Sequence, residues 1–205
     1  MSTRIPHLLE PYLPLPASSL TLLTSVLGAT TNWLLLRYLA QHLARPARGS
    51  DDEDHDEDEV GGKRRGGDKA IVFVSFMRDY AFWKEGAARL NTSVQIADLI
   101  LSLREKVHAS VLTLAADEPL IHSQTTTLER SHASLALATA HEARVVLSVR
   151  RLDTGTATDV SGVLRITRGG AYEDGEAEEG EEVEAHEYLY FVAQDGGVKI
   201  FERGQ

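Results

Sequence analysis

The chain has 205 residues, of which 42% are hydrophobic, and this composition is sufficient for the core of one domain. It contains no cysteine, which excludes disulfide bonds and thiolate metal sites and fits a reducing compartment. The formal net charge is −10 at pH 7, so the chain as a whole is acidic.

The first predicted elements are a strand and a helix joined by a glycine turn. Residues Leu20–Leu27 mix apolar side chains with Thr and Ser, which is typical of a buried strand. The turn 28–31 follows, and Asn32 is placed to cap a helix whose apolar residues recur at helical spacing. Ser19–Leu36 carries no charge, but its polar residues and its length argue against a membrane-spanning helix.

Two acidic tracts interrupt the chain. Asp51–Glu59 contains eight acidic residues and Glu173–Glu187 contains nine, which predicts disordered loops at about 47–68 and 171–186. Removing these 17 acids from the total of 31 leaves 14 against 21 Lys and Arg residues. The rest of the chain is therefore basic, which fits either polyanion binding or a surface kept soluble by scattered bases.

Strands and helices alternate along the remainder of the chain. Predicted strands cover Ala70–Phe76, Ala109–Ala115, Arg144–Val149 and Gly162–Thr167, and predicted helices cover Tyr80–Leu90, Val94–Val107 and Thr127–Glu142. Glu187–Val192 and Val198–Phe201 form a predicted hairpin, because Asp195-Gly196 supplies the positive φ of a tight turn. We predict one α/β domain over residues 1–205, with a mostly parallel twisted sheet flanked by helices and an antiparallel C-terminal hairpin.

The turn after the first strand is where a nucleotide-hydrolysing domain of this outline would bind phosphate. Such domains carry Gly-x-x-x-x-Gly-Lys-Ser/Thr there, so that backbone amides and a lysine hold the triphosphate. Here the turn has one glycine and no lysine follows it; its residues are Gly28, Ala29, Thr30, Thr31 and Asn32. We predict a vestigial nucleotide loop, which either keeps a phosphate contact or only connects strand to helix. Accordingly, we expect no catalytic residue, no metal site and no cofactor.

Two carboxylates follow apolar strands, where active ATPases hold magnesium. They are Asp79 and Asp117. Because the lysine loop is missing, we interpret both as helix caps or turn residues.

Arginines are concentrated around the strand that ends near residue 150. Arg150 and Arg151 follow its apolar core, and Arg165 and Arg168 lie in the next predicted strand. Ligands of open α/β sheets bind at the carboxyl ends of strands, so these four residues are candidates for RNA binding. Ion pairing with nearby acids is an equally good interpretation.

Four further residues are candidates for partner contacts. Phe82 and Trp83 lie on the apolar stripe of the second predicted helix, which either docks a partner or belongs to the core. Asp153 and Asp159 follow the paired arginines, where they either meet a partner or pair with Arg151.

Three separated segments resemble the Elongator complex protein 6 family. They are Phe73–Leu90, Arg151–Gly170 and Tyr190–Gly204, and Leu27–Trp33 is similar to the degenerate nucleotide loop of that family. The resemblance implies a RecA-like fold without ATPase motifs, assembled with the fourth and fifth Elongator subunits into a ring with two copies of each. It further implies that this ring binds tRNA in the cytoplasm and nucleus, and that it assists the catalytic Elongator subunits, which modify the wobble uridine.

Two other functions stay open. A P-loop ATPase with a divergent loop would turn over ATP as an isolated chain. A free-standing RNA-binding protein would bind tRNA alone, with a steep dependence on salt concentration.

The chain departs from the family pattern at one place. The resemblance implies a further strand and helix between the helix ending near Leu90 and the helix beginning near Val94, but Asn91-Thr92-Ser93 joins them directly. Loss of an interior strand exposes the apolar edges of its neighbours, so we expect a weakened or rearranged sheet and impaired ring assembly. A version with the segment restored should melt at a higher temperature in thermal denaturation. Equal melting temperatures would reject this prediction.

Overall fold

A computed structural model of the chain describes residues 5–43, 92–152, 159–172 and 183–202. The strands in these ranges are β1 (Leu20–Ser25), β2 (Ser110–Ala115), β3 (Val145–Arg150), β4 (Gly162–Arg168), β5 (His186–Val192) and β6 (Val198–Glu202). The helices are α1 (Asn32–Leu43), α2 (Thr92–Arg104) and α3 (Thr127–Glu142), with a 3₁₀ helix at His7–Tyr12 and a π-helical turn at Pro119–Ser123. The predicted strand Ala70–Phe76 and helix Tyr80–Leu90 lie outside the described residues.

The six described strands form one sheet in the order β2-β1-β3-β4-β5-β6. β1 pairs in parallel with β2 and β3, whereas every neighbouring pair from β3 to β6 is antiparallel. The α/β class and the antiparallel C-terminal hairpin are therefore confirmed. The prediction of a mostly parallel sheet is wrong for these strands. Residues 151–161 are too few for the crossover of a dozen or more residues that a parallel β3–β4 pair would need.

Helix α3 has the bounds that its sequence pattern predicts, because local hydrogen bonds fix its beginning. The Thr126 hydroxyl accepts the Glu129 N–H at 3.2 Å, and the Glu129 carboxylate accepts the Thr126 N–H at 2.9 Å. This reciprocal pair forms a capping box, which satisfies backbone donors that have no partner inside the helix. A further hydrogen bond from the Thr125 hydroxyl is the largest cause of a lowered Glu129 pKa.

Both faces of the parallel half of the sheet are covered. On one face, α1 and the 3₁₀ helix pack on the sheet and form the larger core, in which Leu9, Leu23 and Leu147 are completely buried. On the other face, Leu20 and Leu22 pack against residues at the end of α3. Burying a leucine side chain contributes about 1.5–3 kcal/mol relative to leaving it exposed. The two cores therefore fix β1 as the central strand of this half.

Helix α1 buries a charged residue on its inner face. Trp33, Leu34 and Tyr38 are buried, and so is Arg37, whose Nη2 donates to the Gly196 carbonyl at 3.1 Å. Leu36, although apolar, is 53% exposed. Because the Gly196 carbonyl accepts a hydrogen bond from the Arg37 guanidinium, Arg37 can be buried on the inner face of α1, and Leu36 then faces outward.

The loop after β4 closes the carboxyl end of α3. Gly169 N–H donates to the Arg144 carbonyl at 2.9 Å, and Gly170 N–H donates to the Ala140 carbonyl at 3.2 Å. The second of these satisfies a helix-end carbonyl that has no partner within α3. A Cβ on Gly169 would collide with the Ala143 carbonyl oxygen, so the loop fits here only with glycine.

Of the predicted acidic loop 171–186, the structure describes residues 171–172 and 183–186. Val183 is 1% exposed; its N–H donates to the Tyr172 hydroxyl at 3.3 Å and its carbonyl accepts from Arg168 Nε at 2.7 Å. β5 then begins at His186. An apolar residue of this acidic tract thus belongs to the larger core. The other predicted loop, 47–68, lies outside the described residues.

Replacing Gly169 with alanine should lower the free energy of unfolding by about 1–3 kcal/mol, since the new methyl group must push the loop away from α3. Urea denaturation measures this loss. Gly197→Ala is the matched control, because a Cβ there meets only the Asp195 carboxylate, at 3.0 Å or more. Equal losses for the two variants would contradict the close packing of the loop on the helix end.

Candidate functional site

The carboxyl ends of β1, β2 and β3 lie side by side. The parallel register pairs Ser25 with Ala115 on one side and with Val149 on the other. The segments that leave these strands therefore start at the same edge of the sheet. Ligands of α/β sheets bind at this edge, so it is the first place to look for a functional site.

The turn after β1 has a defined hydrogen-bonded shape. The Ala29 N–H donates to the Val26 carbonyl at 2.9 Å, and Gly28 has a φ of 84°, which favours glycine. The Thr31 carbonyl accepts the first helical bond of α1 from Leu35 N–H at 2.9 Å. Thr31 thus holds the cap position predicted for Asn32. The backbone N–H of Asn32 instead donates to the Thr30 hydroxyl at 3.2 Å.

Arg151, which follows β3, lies directly on this turn. Its Nε donates to the Gly28 carbonyl at 3.1 Å, and its guanidinium occupies the space that a Cβ on Gly28 would need. The side chain is exposed to solvent. The turn is therefore covered by a cation of the chain itself.

Asp117, which follows β2, holds the turn from the other side. Its Oδ1 accepts the Leu27 N–H at 2.5 Å. A backbone amide of the turn is thus already bonded to a carboxylate, and a phosphate would have to displace this negative group to reach it. Asp117, which the sequence predicts to be a helix cap or a turn residue, thus bonds the backbone of another segment, and Asp79 lies outside the described residues.

Two buried aromatic rings lie beneath the turn. The rings of Trp33 and Tyr190 have centroids 4.9 Å apart and an interplanar angle of 33°. Burial raises the pKa of the Tyr190 hydroxyl, and the positive charge of Arg151 opposes part of this shift. A Cβ on Gly162 would meet the Tyr190 hydroxyl, so β4 also packs tightly here. Two packed aromatic side chains therefore form the base of the turn.

The four arginines predicted to bind RNA do not form one cluster. In the register of β3 and β4, Arg150 lies opposite Val163 at one end of the pair, and Arg168 lies opposite Val145 at the other. The two ends are five residue steps apart along the strand, a distance of about 17 Å. Arg150 forms an ion pair with Glu187 at 3.5 Å.

Arg168 and Arg165 lie in quite different surroundings. The Arg168 guanidinium lies over the Tyr172 ring, 4.7 Å from its centroid. Arg165 is exposed in the middle of β4. Of the four candidates, Arg151 is the one with a described contact to the turn after β1.

Most of the predicted partner-contact residues cannot be placed. Asp159 is exposed in the segment that precedes β4. Phe82, Trp83 and Asp153 lie outside the described residues. The predicted pairing of Arg151 with an acid is replaced, among the contacts described, by its bond to the Gly28 carbonyl.

Across residues 5–43, 92–152, 159–172 and 183–202, no three His, Asp or Glu side chains come together as a metal site requires. None of the helices in these ranges combines the length and apolar character needed to cross a bilayer.

Comparison with known protein families and with curated proteins finds no match to this chain.

Sequence reasoning found the turn but not the pair of side chains that closes it. Arg151 and Gly28 are 123 positions apart, and Asp117 and Leu27 are 90 apart, so no local spacing connects them. The usable signal was that Asp117 and Arg151 each follow a predicted strand, and the carboxyl ends of parallel strands meet at one edge of a sheet.

Replacing Gly28 with alanine should lower the free energy of unfolding by about 1–2 kcal/mol, because a side chain is strained at positive φ. Gly196→Ala, at a φ of 82°, gives the same backbone cost without Arg151 nearby and serves as the comparison. Chemical denaturation of both variants, alone and combined with Arg151→Ala, separates the two contributions. The larger part should persist without Arg151, and a fully stable Gly28→Ala variant would contradict the turn geometry.

Proposed function

We propose that this chain is a non-catalytic, RecA-like subunit of the Elongator complex. In this proposal it forms a hexameric ring with the fourth and fifth Elongator subunits, two copies of each, in the cytoplasm and nucleus. The ring binds tRNA and supports the catalytic subunits that modify the wobble uridine.

The closed turn after β1 carries the non-catalytic part of the proposal. The Arg151 guanidinium donates to the Gly28 carbonyl, and the Asp117 carboxylate accepts a hydrogen bond from the Leu27 backbone N–H. An ATPase needs those amides free, and it needs a lysine next to them to neutralise the terminal phosphates. The backbone N–H groups of Leu27, Ala29 and Asn32 are already bonded within the chain, and residues 26–32 include no lysine, so a role in assembly fits better than hydrolysis.

The RecA-like part is supported by the arrangement around β1. A strand, a short turn and a helix follow one another, and the strand has a parallel neighbour on each side. Nucleotide-binding α/β domains share this arrangement. The antiparallel strands β4 to β6 extend the sheet at the far side.

The segments that resemble Elongator complex protein 6 contain several of the residues that hold the described fold together. Arg151 begins one segment and contacts the similar turn through Gly28. Gly169, near the end of the same segment, packs against the carboxyl end of α3. Gly196 has the positive φ of the hairpin turn. A resemblance that includes such residues is more specific than one limited to exposed positions.

The proposal is tested by producing the full chain together with the fourth and fifth Elongator subunits. Purification through a tag on this chain, followed by a native mass measurement, should give one assembly with two copies of each subunit. Recovery of the chain alone, in conditions where the other two subunits are soluble, would overturn the proposal.

Titration with tRNA distinguishes the ring subunit from a free-standing RNA-binding protein. We expect tight tRNA binding after the two partner subunits are added, with an affinity that falls steeply as salt is raised. Equal affinity of the isolated chain and the assembly would favour the free-standing protein instead. ATP turnover by the isolated chain would favour the divergent ATPase.

A further inference from the structure

The antiparallel half of the sheet has one face that no described helix covers. Arg165 lies in β4, between β3 and β5, and is nevertheless exposed. Its neighbours Leu164 and Ile166, which point to the opposite face, are completely buried in the larger core. Arg165 thus reaches solvent on the side of β4 that faces away from the larger core, where no helix of the described ranges covers it.

Strand alternation and register define which residues share this open face. Tyr188 and Tyr190 of β5 are buried on the core side, so the residues between and beside them face the other way. The register pairs Val163 with Leu189, Leu189 with Phe201, Phe191 with Lys199, and Arg165 with Glu187. We call the open face the surface formed by Arg165, Glu187, Leu189, Phe191, Lys199 and Phe201; Val163, on the same side of β4, is buried.

Two aromatic rings lie next to each other on the open face. Phe191 lies opposite Lys199, and Phe201 follows Lys199 by two residues, so the two phenylalanines are diagonal neighbours on adjacent strands. Diagonal neighbours on one face are about 7–8 Å apart, within reach of two successive bases. Both side chains are half-buried, which leaves part of each ring exposed to solvent.

Two of the three charged residues on the open face are basic. Arg165 and Lys199 are exposed on the open face itself. The acid opposite Arg165 is Glu187, which forms an ion pair with Arg150 at 3.5 Å. Glu202 belongs to β6 but alternates to the opposite face from Phe201 and Lys199. Exposed bases beside aromatic rings complement a polyanion with stackable groups better than they complement an apolar protein surface.

We infer that the open face binds single-stranded RNA, with bases stacked on Phe191 and Phe201 and phosphates near Arg165 and Lys199. This inference rests on the proposed function and specifies which part of a tRNA the chain would contact, namely unpaired loop nucleotides. A duplex keeps its bases stacked inside, so it cannot use the two rings. Stacking tolerates any base, so the binding has little sequence preference.

The experiment titrates the full chain into a labelled oligouridine of about 12 nucleotides and follows fluorescence anisotropy. Phe191→Leu and Phe201→Leu keep an apolar side chain but remove the stacking surface, and each should weaken binding about tenfold. Lys199→Glu should also weaken binding and lower the salt dependence, by about 0.7 in log–log slope if one phosphate contact is lost. A blunt RNA duplex of the same length should bind more weakly than the single strand.

The matched charge control is Lys106→Glu, an exposed lysine in the turn after α2. It should leave single-strand affinity within about twofold of the unchanged chain, because it lies far from the open face in the fold. Thermal unfolding of each variant confirms that the sheet is intact. Unchanged affinity in both phenylalanine variants, or no single-strand binding by the full chain, would overturn the inference.

Failure of this inference can be distinguished from failure of the proposed function. If the three-subunit assembly forms and binds tRNA equally well with Phe191→Leu and Phe201→Leu, the ring subunit stands and the open face is not its RNA site. If no assembly forms but both variants of the full chain bind single-stranded RNA more weakly, the RNA-binding inference is supported and the proposed ring subunit is excluded.

Discussion

The parallel hydrogen bonding of β1 to β2 on one side and to β3 on the other is the constraint on which the rest of the structure depends. It brings three strand ends to one edge of the sheet. Asp117 and Arg151 follow the two outer strands, so they reach the turn after β1 from opposite sides. The same turn that would hold a phosphate in an ATPase is therefore held by the chain's own carboxylate and guanidinium.

The sheet changes character between β3 and β4. On the β1 side, strands run in parallel and cores lie on both faces, as helical crossovers require. On the β6 side, strands are antiparallel, and one face carries Phe191 and Phe201 beside Arg165 and Lys199. An antiparallel sheet can leave one face to solvent, and no helix of the described residues covers this one. This face is where we infer the binding surface.

Much of the described fold could be predicted from local sequence, because local interactions determine it. Helix α3 has a capping box, and the hairpin has Gly196 at positive φ, so both were placed within a residue or two. Long-range contacts were not predictable in this way. The inward rotation of Arg37 depends on a hairpin carbonyl far along the chain, and the direction of β4 depends on how a short connection closes. At the candidate site, the turn was found from its pattern, but its closure by Arg151 was not.

The central claim is that the turn after β1 is occupied by the chain itself and does not bind nucleotide. Calorimetric titration of ATP with Mg²⁺ into the full chain tests this claim most directly. The account predicts no saturable heat of binding up to millimolar nucleotide. Saturable binding that needs Mg²⁺ and disappears when Thr30 and Thr31 are both changed to alanine would contradict it.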